Sequence, residues 1–193
     1  MIFGKQNTEL ERFADLLATG TVALFSEREL RFSKPPEKQK RLIIDYEGKM
    51  RADGMEKFSN ETTYVSAVNY YATQADMAKK RALGALIVYV EHSFVASLMK
   101  MLKYPMIDDE SEKALLDSCG TLSNIIAGRF KSEISAGGYI ELEMSHFMTY
   151  RNSAVVGIDF CPNEYFMFQN DFYIDGKKRL VLEMTMGTVP RRS

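Results

Sequence analysis

The last third of the chain holds three successive stretches of strand-forming sequence with no helical periodicity between them. "YIELEMSHFMTY" (139–150) alternates, with Ile140, Leu142 and Met144 on one face and Glu141 and Glu143 on the other. "AVVGIDF" (154–160) is a further strand. "EYFMFQNDFYIDGKKRLVLEMTM" (164–186) reads as a hairpin with Asp175-Gly176 near its turn. Parallel strands need a crossover of a dozen or more residues, usually a helix, whereas antiparallel ones do not. This third of the chain therefore demands a mostly antiparallel sheet.

Upstream the pattern changes. "NTELERFADLLATGTVALF" (7–25) carries Leu10, Phe13, Leu16, Leu17, Ala23 and Leu24 at helical spacing, with Asn7 or Thr8 able to cap it. "RLIIDYEGKMRADGMEKF" (41–58) reads as a short strand or hairpin running into a loop. "TTYVSAVNYYA" (62–72) and "GALIVYV" (84–90) are strands, the second so apolar that it belongs in the middle of a sheet. A polar, exposed loop joins them. "HSFVASLMKMLKYP" (92–105) is a helix with Ser93 as a candidate N-cap and Pro105 as its stop. A second helix follows over 107–134, and its acidic opening, Asp108, Asp109, Glu110 and Glu112, suits the positive end of a helix dipole better than a metal site. Segregated order of this kind predicts an α+β domain, a mostly antiparallel sheet with two or three helices packed on one face.

Composition limits function. The chain has 193 residues, enough for one domain that buries roughly 70% of the surface its unfolded form exposes. Lys and Arg total 25 against 26 Asp and Glu, so there is no basic excess of the kind nucleic-acid binding uses. The basic clusters "KPPEKQKR" (34–41) and "KKR" (79–81) read as solvated loops. Two cysteines with no CxxC spacing argue against a disulfide framework and for a reducing cytoplasm. The apolar run "ALIVYV" (85–90) is too short to span a bilayer, so no membrane role is expected. No nucleophile elbow, phosphate-binding loop or dinucleotide fingerprint occurs. His92 and His146 stand alone in their segments, and Cys119 reads as a small core residue.

The unusual segment is "CGTLSNIIAG" (119–128), where glycines at 120 and 128 sit inside an amphipathic helix at a cost of about 1 kcal/mol each. At about 100° per residue, Leu115, Cys119, Leu122, Ile126 and Phe130 form the buried stripe, and Asp117, Thr121, Asn124 and Gly128 gather opposite, bordered by Gly120 and Ala127. A solvated helix face is ordinarily filled with Lys and Glu. A small-residue face around one amide means close approach by something else, either another molecule or another element of the same chain.

The stretch "EKALLDSCGTLSNIIAGRFKSEI" (112–134), together with "GALIVYVEHSFVASLMKML" (84–102) before it, resembles the motif helix and preceding strand–helix pair of the CheX/CheC/FliY family of chemotaxis phosphatases, and CheX most of all. The likeness runs from Thr62 to the C-terminus; residues 1–61 match weakly, as an N-terminal extension of a single CheX-like domain. In that family the helix carries E-x-x-N followed by small residues ending in A-G. Here Asn124, Ala127 and Gly128 match, and Thr121 stands where the Glu belongs.

The resemblance implies a phosphatase of the phospho-aspartate on a CheY-type response-regulator receiver, with Asn124 positioning the attacking water. Asp117, Gly120, Thr121, Ala127 and Gly128 would meet the partner. It implies no cofactor or metal in this chain, Mg²⁺ being held by the receiver, and a homodimer. The family Glu pairs with a receiver lysine. Thr121 has no charge to offer, and Asp117 lies one turn back, about 6 Å along the axis, on a shorter side chain. The resemblance thus leaves two outcomes: a weakened phosphatase, or a module that binds receivers without hydrolysis.

Overall fold

A computed structural model describes residues 8–105, 111–152 and 154–193. The chain runs α1 (Thr8–Glu27), β1 (Glu37–Leu42), β2 (Asp45–Tyr46), β3 (Lys49–Asp53), β4 (Thr63–Tyr71), α2 (Gln74–Ala78), β5 (Gly84–Glu91), α3 (His92–Met101), α4 (Glu112–Ala136), β6 (Glu143–Met144), β7 (Met148–Arg151), β8 (Ala154–Ile158), β9 (Phe166–Ile174) and β10 (Lys177–Met186). A seven-stranded sheet has the order β1-β9-β10-β5-β4, with β6 and β7 sharing the outer side of β4. All its pairings are antiparallel. This is the α+β architecture expected from the order of segments.

Strand alternation sorts the sheet into two faces. On β4 and β5, Tyr64, Val68, Tyr70, Leu86, Val88 and Val90 face α1, α3 and α4. Val65, Ala67, Ala85, Ile87 and Tyr89 face the other way, onto a second core with Met50, Ala52, Val155 and Ile158. That second core is covered by a three-stranded sheet, β2-β3-β8, which the sequence reading did not foresee. With both faces covered, all nine residues of β4 are buried.

Residues 8–61 are woven through both layers. α1 buries Leu10, Phe13, Leu17 and Phe25 in the helical core, β1 extends the large sheet beside β9, and β2 and β3 build most of the small one. The cluster at 34–41 is thus not simply a solvated loop: its second half is β1. Its charges suit a sheet edge, where lysines discourage further pairing. Lys38 reaches Glu11 (3.0 Å) and Asp15 (2.7 Å), and Arg41 donates to Gln169 Oε1 (2.6 Å).

Other boundaries differ for local reasons. The expected strand over 139–150 is split at Ser145, whose N–H donates to the Asn69 carbonyl (2.9 Å) while its Oγ accepts from Asn69 N–H (2.9 Å). The polar loop after β4 contains α2, capped by Thr73. α3 is capped at Glu91, not Ser93, and closes at Leu102 before Pro105. α4 is N-capped by Ser111, whose Oγ accepts from Ala114 N–H; Asp108, Asp109 and Glu110 lie outside the described residues. The β9–β10 turn is at Asp175 and Gly176, both at positive φ (51° and 75°), as a two-residue hairpin requires.

Under the small sheet lies a buried polar cluster. Lys57, 5% exposed, contacts the Glu183 carboxylate, donates to Gln169 Oε1 (3.1 Å), and lies over the Tyr89 ring. Tyr89 Oη donates to the other Glu183 oxygen. Breaking such a pair leaves a desolvated charge. Lys57→Ala is expected to lower the unfolding free energy by about 3–5 kcal/mol, measured by urea denaturation followed by far-UV circular dichroism.

Candidate functional site

α4 is the longest helix among the described residues, with 25 residues, and so extends about 37 Å. Its buried stripe is the expected one: Leu115, Cys119, Leu122, Ile126 and Phe130, continued by Ile134. Tyr70 of β4 anchors the middle. Its Oη donates to the Ala127 carbonyl (3.1 Å) and its ring meets Phe130 edge-on at 5.7 Å. α1 flanks α4 on one side, where Arg129 bridges Glu27 (3.1 Å) and Glu133 (2.9 Å). β7 flanks it on the other, where Arg151 pairs with Glu112 (3.2 Å). The helix cannot roll, so the orientation of its outer residues is set by the core.

That outer face carries Asp117, Thr121 and Asn124, all exposed, and the half-buried Gly128. None of the three side chains has a hydrogen-bonding or ionic partner among the described residues. Asn124 lies about 4.5 Å along the axis from Thr121 and about 10 Å from Asp117, by helix rise.

The two glycines separate here. A Cβ on Gly128 would meet nothing within 4 Å, so that position is open. A Cβ on Gly120 would lie 2.1 Å from Phe147 Cε2. Gly120 is buried under the Phe147 ring, and Ala127 is 0% exposed. The expectation that both border the docking face is corrected: they point inward, and the small size at 120 serves contact with the chain's own β6–β7 connection. Phe147 was missed because it sits in an alternating strand pattern, where an aromatic reads as sheet packing.

The remaining chemical groups are accounted for by the fold. Burial pushes the Cys119 thiol up to about 12, so it stays protonated and unreactive at neutral pH. His92 stands at the β5–α3 junction with Nδ1 3.0 Å from Tyr64 Oη. No group of three or more metal-ligating side chains occurs among the described residues, and none of their helices is long and apolar enough to cross a membrane. Beyond Gly128, a shallow depression of about 370 Å³ is lined by Lys131, Ser132, Ser135, Ala136, Glu141 and Arg192. Arg192 is held there by the carbonyls of Tyr139 (2.8 Å) and Ser135 (3.2 Å).

Opposite effects are expected at the two helix glycines. Gly128→Ala should stabilise the protein by about 1 kcal/mol, since only helix propensity changes. Gly120→Ala should destabilise it by about 1–3 kcal/mol through overpacking against Phe147. Thermal unfolding of the two variants checks the signs.

No protein-family model and no curated protein matches the chain. Solved structures do. CheX from Vibrio vulnificus aligns with a TM-score of 0.57 at 13% identity, over 90% of this chain and 97% of that one. CheX from Desulfovibrio desulfuricans gives 0.54 at 13% identity, over 91% and 99%. A CheC-like superfamily protein from Shewanella sp. PV-4 gives 0.52 at 16% identity, over 93% and 97%. The chain therefore has the α+β fold of the CheX and CheC-like chemotaxis proteins.

Proposed function

We propose that this protein acts in chemotaxis signalling, docking through the outer face of α4 onto the phosphorylated receiver domain of a CheY-type response regulator, and that Asn124 aims the water that hydrolyses the aspartyl phosphate. The observation that carries the reading is Asn124 itself: an exposed carboxamide with no side-chain partner among the described residues, midway along a helix fixed by its buried stripe. Acyl-phosphate hydrolysis asks little covalent help of a protein. It needs a water held in line with phosphorus. A neutral amide donates and accepts hydrogen bonds, so it orients water without adding negative charge beside the phosphoryl group. The metal and the phosphorylated carboxylate belong to the receiver, and this chain supplies the aim. A homodimer in the cytoplasm completes the reading, and light scattering on the purified protein tests the dimer.

A second reading rests on Thr121. Its hydroxyl stands where the similar family carries a carboxylate, and Asp117 is a full turn away on the same face. Docking without efficient hydrolysis follows if that missing charge is needed to engage a receiver lysine, because truncating one partner of an interfacial pair costs about 2–5 kcal/mol.

Timing phosphate loss from a phosphorylated receiver separates the two. Under the catalytic reading, Asn124→Ala slows the added rate by about 10²–10³, and an equally fast variant overturns it. Under the second reading the wild type binds the receiver without hastening phosphate loss, and Thr121→Glu raises the rate at least about tenfold.

A further inference from the structure

The Phe147–Gly120 contact lies one helical turn from Asn124, about 40° around the axis. Phe147 is held from both sides. Ser145 is tied to Asn69 through two hydrogen bonds, and Met148 is in register with Ala67 of β4. Its ring sits in the notch at Gly120 so closely that Cε2, Cδ2 and Cζ would be 2.1, 2.3 and 2.8 Å from an added Cβ. Helical side chains lean toward the N-terminus, over the preceding turn. By that lean the Asn124 carboxamide belongs over the turn containing Gly120 and Thr121, the turn on which the Phe147 ring sits. An apolar wall restricts where an amide can point without using any of its hydrogen-bonding groups.

We propose that Phe147, seated on Gly120, is a positioning residue that sets the heading of the Asn124 amide while leaving its donors and acceptor free for water. The inference rests on the catalytic reading of Asn124 and deepens it. The glycine at 120 follows from the same geometry, because any side chain there would lift the ring away from the helix.

Two readouts test it. In a ¹⁵N-resolved spectrum, the side-chain amide pair of Asn124 is assigned as the one that disappears in Asn124→Ala. Its resonances are expected to move in Phe147→Ala, which removes the ring current beside them, and to stay near wild type in Phe147→Tyr. In receiver dephosphorylation, Phe147→Ala is expected to lower kcat about three- to tenfold through freed side-chain motion, with KM unchanged and Phe147→Tyr restoring the rate. Thermal unfolding confirms that the variants are folded. Unmoved Asn124 resonances in Phe147→Ala overturn the inference whatever the kinetics do, as does a loss confined to stability with kcat intact. If the resonances move but Asn124→Ala hydrolyses as fast as wild type, the catalytic reading falls and takes the positioning role with it.

Discussion

Burial of β4 and β5 on both faces is the constraint from which the rest of the molecule follows. Their alternate side chains enter two different cores, Leu86 and Val88 under the helices and Ala85 and Ile87 under the small sheet. A strand wet on one side alternates apolar with polar; one covered on both sides reads as a continuous apolar run. Each core then needs its own cover. α1, α3 and α4 form one, and β2, β3 and β8 the other, together with the loop that delivers Lys57 to Glu183. α4 is fixed by the first of these cores, through Tyr70 and the Leu115–Phe130 stripe, so the direction in which Asn124 faces solvent is decided by packing far from the surface.

The outer face of α4 and the polar cluster of the far core handle their polar groups differently. In the far core Lys57, Gln169 and Glu183 are matched to one another, as most buried polar groups are. On the outer face of α4 the amide of Asn124, the hydroxyl of Thr121 and the carboxylate of Asp117 are left to solvent, on a surface with little bulk. Such a surface gives up some helix stability and some ion pairing. That is the pattern expected where a second molecule completes the hydrogen bonding.

Much of this was legible beforehand, for identifiable reasons. The hydrophobic period placed the stripe of α4 on the right residues, and Asp175-Gly176 marked the β9–β10 turn because few other residue pairs adopt two positive φ angles. The exposed positions of Asp117, Thr121 and Asn124 followed from the same wheel. Gly120 and Ala127 were misplaced because a wheel gives an angle but not what stands beside the helix, and Phe147 arrives there from a connection distant in sequence. β1 was hidden by its charge: Lys38 and Arg41 look like loop residues until α1 and β9 bring Glu11, Asp15 and Gln169 to them. The strand or hairpin read over 41–58 and the strand over 154–160 are present as β2, β3 and β8, but their pairing into a separate sheet was hidden, because local pattern does not say which distant strands pair.

The position of β1 bears on how the chain comes into being. Its ladder partner is β9, and β3 pairs with β8, so the earlier strand of each pair waits for a partner made much later along the chain. Contacts so distant along the chain slow folding. Until β8 and β9 emerge, β3 and β1 lack these ladder partners, and the charges of β1 that later guard the sheet edge suit a strand that must wait in water.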